Sequence, residues 1–298
     1  MISPRFGRRD ALSILAALAL AACSKRGAVG SSRVVSISPS TTDAAFAIGA
    51  GAIVFGRSKY CDYPPETARL PIVGGFADPN LEAILALAPT LVIGAHGPAG
   101  PAIEQALNAH GIATFFPETE SLAQIEGMLT ELGKRLHFEA GAAAAVSAIE
   151  ADRRRVSAAI QGRAKVRAVF LFDVSPIYAA GPGGFPDELL REAGATNLVD
   201  KGGAYPTLDI ERLLALDPEV ILDGASDGAD GAAASRVAAL RGAPGWKDLR
   251  AVREGRVRQV DASTVLRPGP RIGQGLVALA RALHGEAIFA GEGAKRAP

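Results

Sequence analysis

One pattern of hydrophobic and polar positions occurs twice in the chain, and the two copies start 129 residues apart. The first copy, at residues 80–93, reads NLEAILALAPTLVI, and the second, at 209–222, reads DIERLLALDPEVIL. Each has a polar capping residue, a first-turn glutamate, Leu/Ile/Ala positions at helical spacing, a proline that stops the helix and a β-branched run. The pattern predicts one helix and one buried strand in each half. The duplication indicates two similar α/β lobes with a ligand cleft between them.

The rest of the first half alternates in the same way. We expect a strand at 33–38, followed by a short helix that is capped by Thr41 or Thr42 and ended by Gly49. The further elements expected in this half are a strand at 52–56, a long loop at 57–76, a helix at 102–110 and a strand at 113–116.

A long helix is predicted between the two halves. Apolar residues stand at Val146, Ile149, Val156 and Ile160 within residues 138–161, and alanines fill the same face. Spacings of three, seven and four residues are helical. About 24 residues at 1.5 Å each give a helix about 36 Å long, which is enough to connect two lobes.

The second half again alternates strands and helices, which is typical of mostly parallel sheets covered on both faces. The expected elements are a strand at 166–172, a loop at 173–186, a helix at 187–193, a strand near 197–199, a loop through Pro206, helical turns at 237–249, a strand at 256–260, a helix at 272–284 and a tail that frays from Gly285.

The first 23 residues have the features of an export signal. Arg5, Arg8 and Arg9 precede an apolar stretch at 11–22, which is too short to span about 30 Å of hydrocarbon. The paired arginines resemble a twin-arginine signal, the export route of folded proteins. The sequence LAAC, which ends at Cys23, resembles a bacterial lipobox, so we expect cleavage before Cys23 and lipid attachment to its sulfur. An ordinary signal peptide with an incidental cysteine is the alternative.

These features divide the chain into a signal peptide (1–23), a flexible tether (24–32), a first lobe (33–136), a connecting helix (137–163), a second lobe (164–285) and a tail (286–298). The signal carries three basic residues and one acidic residue, so its removal changes the formal net charge from +1 to −1. Without a long basic run, nucleic-acid binding is not expected. If Cys23 is lipidated, Cys61 is the one remaining thiol and no intramolecular disulfide can form.

Signatures of enzymes are mostly missing from the sequence, so we expect a binding protein. The four histidines are widely spaced and offer no pair on one helix face for a metal. The glycine-rich stretch at 181–184 lacks the lysine and hydroxyl of a phosphate loop, and no serine stands in a nucleophile elbow.

The four tyrosines, Tyr60, Tyr63, Tyr178 and Tyr205, all fall in predicted loops beside the ends of strands or helices. In open α/β sheets ligands bind outside the carboxyl ends of strands, where such loops gather. A tyrosine offers a flat apolar face and one hydroxyl, which suits a large planar ligand. Phe76 stands in a glycine-rich loop and joins this set, whereas Tyr63, before two prolines, is expected to brace its loop.

Three cationic or titratable residues are further candidates. Arg267 precedes the last helix and can reach an acidic or amide group of a ligand. Arg271 stands at the start of that helix, where the dipole disfavours a cation, so we expect a specific partner for it. His96 follows a predicted strand at the edge of the cleft, where it can donate to the ligand or coordinate a metal; an ordinary loop histidine is the alternative interpretation.

Glu82 and Glu211 occupy equivalent positions in the two copies of the duplicated pattern and are expected to face solvent. Each alone is an ordinary first-turn glutamate. As a pair, they can contact two basic sockets on a two-fold symmetric partner, where charge complementarity fixes orientation.

These features together resemble the periplasmic binding proteins of ABC importers for cobalamin, haem and ferric siderophores. The resemblance extends from 34–39 (VVSISP) to 267–272 (RPGPRI), and 60–66 (YCDYPPE) and 73–82 (VGGFADPNLE) are most similar to the cobalamin-binding branch. It implies two α/β lobes joined by one long helix, with only slight closure on binding. It also implies a corrin site lined by Tyr60, Phe76, Tyr178 and Tyr205, a ligand contact from Arg267, and docking of Glu82 and Glu211 onto arginines of the two permease subunits.

The sequence also departs from that branch. Corrinoid binders tend to place tryptophan in the cleft, but the single tryptophan here, Trp246, lies in a Pro-Gly turn of the second half. Phe76 and Tyr205 stand where tryptophan is expected, and Ala95 where another aromatic is. Cys61 is expected to be a buried structural thiol. Phenolate oxygens of Tyr60, Tyr178 or Tyr205 would suit ferric iron.

The resulting hypothesis is a monomeric, lipid-anchored binding protein, exported to the periplasm or the cell exterior. It would capture cobalamin or another corrinoid and deliver it to an ABC permease dimer with its ATPase subunits. A ferric siderophore or haem is the main alternative ligand, and an oxyanion a lesser one. A sensory module that does not dock a permease is a further alternative. No catalytic residue, resident cofactor or metal site is expected.

Overall fold

The computed structural model describes residues 32–96, 100–225 and 232–290, with the side chains of 232–235 left aside. The expected signal peptide, the tether up to residue 31 and the lipidation site Cys23 lie outside the described residues. Within the described ranges, no helix is long and apolar enough to cross a membrane.

The first lobe is built on a four-stranded parallel sheet with the strand order β2-β1-β3-β4. Its strands are β1 (Val34–Ser36), β2 (Val54–Arg57), β3 (Leu91–Ile93) and β4 (Ala113–Phe115). Its helices are α1 (Pro39–Ala47), α2 (Leu81–Ala86) and α3 (Gly100–Ala109). Because every pairing is parallel, the loops that follow the four strands gather at one edge of the sheet.

The second lobe has a mixed six-stranded sheet. Strands β10 (Val257–Gln259), β9 (Val220–Asp223), β5 (Val166–Val174) and β7 (Ala195–Asn197) are parallel, whereas β6 (Ile177–Ala179) runs antiparallel between β5 and β8 (Thr207–Leu208). The helices of this lobe are α6 (Phe185–Glu192), α7 (Ile210–Leu216), α8 (Ala232–Leu240), α9 (Arg250–Arg253), α10 (Ala262–Val265) and α11 (Ile272–His284).

Two helices follow one another between the last strand of the first sheet and the first strand of the second. Helix α4 (Leu122–Leu136) begins with a capping box between Ser121 and Gln124 and ends at His137, which has a φ of 63°. Helix α5 (Glu139–Ile160) has 22 residues, so it is about 33 Å long and is the predicted connector. Of the predicted apolar stripe, Ile149 and Val156 are fully buried.

The core is continuous between the two lobes. One cluster of buried side chains contains Val34 and Ile48 of the first lobe, Ile149 of α5, and Phe170 and Leu276 of the second lobe. A smaller apolar cluster lies on the opposite face of each of the two sheets. The long helix therefore joins the lobes through a common apolar core, which opposes large hinge motions between them.

Both copies of the duplicated pattern form the predicted helix and strand. Asn80 accepts a hydrogen bond from the Ala83 amide at 3.0 Å, and Asp209 accepts one from the Arg212 amide at 2.7 Å. Helices α2 and α7 then lead to the buried strands β3 and β9. The fold class is thus confirmed as two α/β lobes with mostly parallel sheets, a connecting long helix and a cleft between them.

Several local predictions were wrong. Helix α1 is capped by Ser38, with Pro39 in its first turn, and not by Thr41 or Thr42. Tyr178 lies in β6 and not in a loop, because the predicted loop at 173–186 contains a hairpin. The chain after Gly285 does not fray at once, since the 3₁₀ turn Glu286–Phe289 buries Ile288 and Phe289 in the core.

Candidate functional site

The loops at the carboxyl edge of the first sheet carry several of the predicted site residues. Tyr60 follows β2, His96 follows β3, and Glu118 and Glu120 follow β4. Strands β2 and β4 are the two outer strands, three inter-strand spacings apart. At about 4.8 Å for each spacing, the Tyr60 loop and the Glu118–Glu120 segment are about 14 Å apart across the edge.

A buried hydroxyl network supports the Tyr60 loop. Thr42 donates to the Ser36 hydroxyl at 2.8 Å and reaches the Cys61 sulfur at 3.0 Å, and Ser36 also contacts Thr41. Cys61 is fully buried, and this burial raises the pKa of its thiol. Cys61 therefore lies beneath the loop as a neutral packing residue, in agreement with the sequence interpretation.

A second loop, which carries Phe76, is tied to the Tyr60 loop. The Lys59 amide donates to the Gly74 carbonyl at 2.9 Å, and the Lys59 ammonium lies 3.6 Å from Asp78 and 5.1 Å from the ring of Tyr60. Phe76 is half-buried at the tip of its loop. Tyr60 and Phe76 are therefore held on neighbouring loops at the same end of the edge.

All four tyrosines are exposed, although their rings are large and mostly apolar. The exposed fractions are 53% for Tyr60, 43% for Tyr63, 41% for Tyr178 and 45% for Tyr205. Among the large hydrophobic side chains that the structure describes, Ile72 is the other one with such exposure. Exposed rings at the mouth of a cleft are available to stack on a ligand.

Tyr205 lies at the opposite end of the cleft from Tyr60 and contacts both lobes. Its hydroxyl donates to Glu120 at 2.7 Å, and its ring lies 5.8 Å from that of Phe172 on β5. Burial, and then the hydrogen bond and the charge of Glu120, raise the pKa of Tyr205, so the phenol stays protonated. Tyr178 is nearby, because it pairs with Thr207 across β6 and β8.

Two arginines of the second lobe form an ion cluster with two aspartates of the first. Arg271 binds Asp43 at 2.8 Å, and Arg267 binds Asp62 at 2.8 Å and lies 3.8 Å from Asp43. Burial raises the pKa of Asp43, although the hydrogen bond and charge of Arg271 oppose this. Burial also acts to raise the pKa of Asp62, but Arg267 outweighs it and the pKa is lowered.

The specific partner expected for Arg271 is thus Asp43, and a second contact is the ring of Tyr63, whose centroid lies 4.0 Å from the guanidinium carbon. This stacking holds Tyr63 in place, which fits the expected bracing role. Arg267 donates a hydrogen bond to Asp62, which stands two residues after Tyr60 in the chain. The cluster therefore places the predicted ligand arginine beside the predicted aromatic loop.

His96 is exposed, and its Nε2 lies 3.5 Å from Glu118, with the ring 6.4 Å from that of Phe116. It stands on the same side of the edge as Glu120 and Tyr205. Within the described residues, no group of three or more His, Cys, Asp or Glu side chains is arranged to hold a metal ion.

The predicted site residues therefore fall into two groups that each join the lobes. The first contains Tyr60, Phe76 and Arg267, and the second contains His96, Tyr178 and Tyr205. Glu82 and Glu211 lie away from these contacts, exposed in the first turns of α2 and α7.

Sequence reasoning missed four residues of the site, namely Asp43, Asp62, Glu120 and Phe172. Asp62 stood inside a motif that the sequence singled out, so its position next to Tyr60 was a usable signal. Glu120 meets its partner across 85 residues of chain and Asp43 across 228, which no local pattern encodes.

Comparison with known proteins places the chain among binding proteins of transport systems. Residues 34–264 match a family model described as periplasmic binding protein. The vitamin B12-binding protein of Salmonella typhimurium is 30% identical over 191 residues, which are 64% of this chain and 71% of that protein. An uncharacterized ABC transporter substrate-binding lipoprotein of Bacillus subtilis is 28% identical over 85% of this chain and 80% of its own length.

Among solved structures, the periplasmic haem-binding protein of Roseiflexus sp. RS-1 is 28% identical, covers 86% of this chain and all of its own, and has a TM-score of 0.73. The family match spans more than half of the chain and agrees with the two-lobe fold and its cleft. The chain belongs to the periplasmic binding protein family.

Proposed function

We propose that this protein is the substrate-binding component of an ABC importer and that it carries a corrinoid, with cobalamin as the first choice. The observation that carries the proposal is that exposed tyrosines stand beside two separate contacts between the lobes, Arg267 with Asp62 and Tyr205 with Glu120. Exposed rings at two places along a cleft suit a large, flat, partly polar macrocycle.

The relatives support the same assignment. A vitamin B12-binding protein is 30% identical to this chain, and the Bacillus subtilis relative is described as an uncharacterized substrate-binding lipoprotein of an ABC transporter. By analogy, the chain acts as a carrier and not as an enzyme, tethered through a lipid on Cys23. Glu82 and Glu211 would then contact the two permease subunits, one from each lobe.

Haem is the second candidate, because a solved haem-binding protein shares the fold at 28% identity. A ferric siderophore that uses Tyr205 as a phenolate ligand is less favoured. Glu120 and burial keep the Tyr205 phenol protonated, so binding iron through it would require breaking the Glu120 hydrogen bond.

The ligand can be assigned by calorimetry on the exported chain with cyanocobalamin, haemin and a ferric siderophore measured side by side. We expect micromolar or tighter binding of cyanocobalamin. Heat with haemin or the siderophore and none with cyanocobalamin would replace the corrinoid with that ligand. If none of the three ligands binds, the proposed class of ligand is wrong.

A further inference from the structure

The ion cluster between the lobes is asymmetric in its hydrogen bonds. Two Arg271 nitrogens, Nε at 3.1 Å and Nη2 at 2.8 Å, donate to the same oxygen of Asp43, Oδ2, and the third, Nη1, donates to the Ser263 hydroxyl at 3.2 Å. The other oxygen, Oδ1, is buried without a hydrogen bond, and Arg267 Nη1 lies 3.8 Å from it. Arg267 Nη1 instead donates to Asp62 Oδ1 at 2.8 Å.

The two carboxylates also differ in exposure. The Asp43 side chain is 2% exposed and cannot leave without unpacking α1, whereas that of Asp62 is 68% exposed. The Arg267 side chain, at 17% exposure, is the more enclosed partner of its pair with Asp62. An ion pair with one solvent-exposed member is weak, and the released carboxylate regains its hydration. Arg267 can therefore exchange Asp62 for another anion.

We propose that Asp62 competes with the ligand for Arg267 and is displaced by a carboxylate group of the ligand. This inference rests on the proposed function, because it assumes that the ligand lies against Arg267. The exchange leaves the charge at Arg267 neutralised, so a carboxylate at this position is accepted, and a ligand without one leaves the Arg267–Asp62 pair in place. Asp62 thus lowers the affinity that a carboxylate ligand gains from Arg267.

The test compares Asp62→Asn with Glu66→Gln. Glu66 is a matched control, since it is an exposed carboxylate four residues after Asp62 and its loss changes the net charge equally. The probes are cyanocobalamin and its monocarboxylic acid, in which one side-chain amide is hydrolysed. Haemin, with two propionates, is titrated in parallel.

We expect Asp62→Asn to increase the affinity for the acid about two- to five-fold over the wild type, while the affinity for cyanocobalamin stays unchanged. Glu66→Gln should change neither the affinity for the acid nor that for cyanocobalamin. The gain should disappear when Asp62→Asn is combined with Arg267→Gln, as the coupling of two contacting residues requires. Equal changes for acid and amide, or a gain that survives Arg267→Gln, would overturn the inference.

A ligand-free measurement separates this inference from the proposed function. Phenylglyoxal labelling of Arg267, followed by peptide mass spectrometry, should be faster in Asp62→Asn than in the wild type and in Glu66→Gln. Unchanged labelling rejects the competitor role even if no probe binds. Faster labelling without binding of any probe supports the competition and rejects the proposed cargo.

Discussion

At the scale of single residues, the cleft is marked by large, mostly apolar side chains that remain exposed to solvent. Burial of a tyrosine ring in the core would stabilise the fold, because it removes apolar surface from water. All four tyrosines nevertheless remain substantially exposed. Tyr205 also has its hydroxyl committed to Glu120 on the other lobe. Exposed rings with fixed orientation are suited to binding, because little side-chain entropy remains to be lost.

Replacement of Phe76 or Tyr205 by alanine should weaken corrinoid binding by about 1–3 kcal/mol each, as expected when an aromatic anchor is removed from a binding site. Calorimetric dissociation constants measure the effect. Phe55→Ala is the matched control, because Phe55 lies on β2 beneath Arg33 and away from the carboxyl edge. A loss of affinity in Phe55→Ala equal to that in the two site variants would contradict the assignment.

At the scale of elements, helix α5 determines how the lobes are joined, and its N-terminal turns pack closely on α1. A Cβ atom at Gly141 would overlap the backbone carbonyl of Ile48, so this close approach requires glycine. A Cβ atom at Gly127 in α4 would meet no other atom within 4 Å. The two glycines therefore have opposite expected responses to the same substitution.

Gly141→Ala should lower the free energy of unfolding by about 1–3 kcal/mol, since the backbone of Ile48 must shift to admit the methyl group. Gly127→Ala should raise it by about 0.5–1 kcal/mol, because alanine is the better helix former where no clash occurs. Urea unfolding of both variants measures the difference. Stabilisation by both would show that α5 does not pack on α1 in the manner described.

The C-terminal turn of α11 gives a pH-dependent contribution to stability. His284 lies 3.0 Å from the Ala193 carbonyl, and burial, with the charge of Arg163, lowers the pKa of His284 below its usual 6.5. The unfolded chain therefore binds this proton more tightly than the folded chain does. The contribution of neutral His284 to the free energy of unfolding is complete above about pH 6.5, and it is lost as the pH falls toward the pKa of the folded state. The wild type should therefore lose stability between about pH 7 and pH 5.5 more steeply than His284→Gln.

Urea midpoints measured across that pH range provide the check. His110→Gln is the control variant, since it removes an exposed histidine outside the contact with Ala193. Parallel curves for the wild type and His284→Gln would mean that His284 does not titrate differently on folding.

At the scale of the whole molecule, the two lobes share one apolar core around α5, while polar contacts join them at the cleft. A continuous core resists large rotations, whereas the exposed ion pair and hydrogen bond can rearrange around a ligand. The two outward glutamates sit on equivalent helices of this rigid body. A fixed separation between them suits recognition by a two-fold partner.

The double variant Glu82→Ala/Glu211→Ala should abolish most of the stimulation of ATP hydrolysis by the loaded protein in liposomes that contain the permease and its ATPase subunits. Its affinity for the ligand should match that of the wild type. Glu66→Ala/Glu254→Ala is the control, because both residues are exposed glutamates outside the duplicated pattern. Undiminished stimulation by the first double variant would favour a sensory or scavenging module that does not dock a permease.

The sequence by itself determined the elements whose causes are local. The capping residues Asn80 and Asp209, the proline stops and the apolar stripe around Ile149 each act within a few residues, so they could be read from the chain. The duplication likewise indicated two lobes. The hairpin at β6 escaped prediction because its alternation is short and interrupted by Pro176.

Only the tertiary structure decided which side chains meet across the cleft. The pairs Arg271–Asp43, Arg267–Asp62 and Tyr205–Glu120 join residues between 85 and 228 positions apart. Their contacts depend on how the two lobes are packed around α5, and packing depends on shape and volume over the whole core. For this reason the candidate residues came from the sequence, whereas their partners and the competition at Arg267 came from the fold.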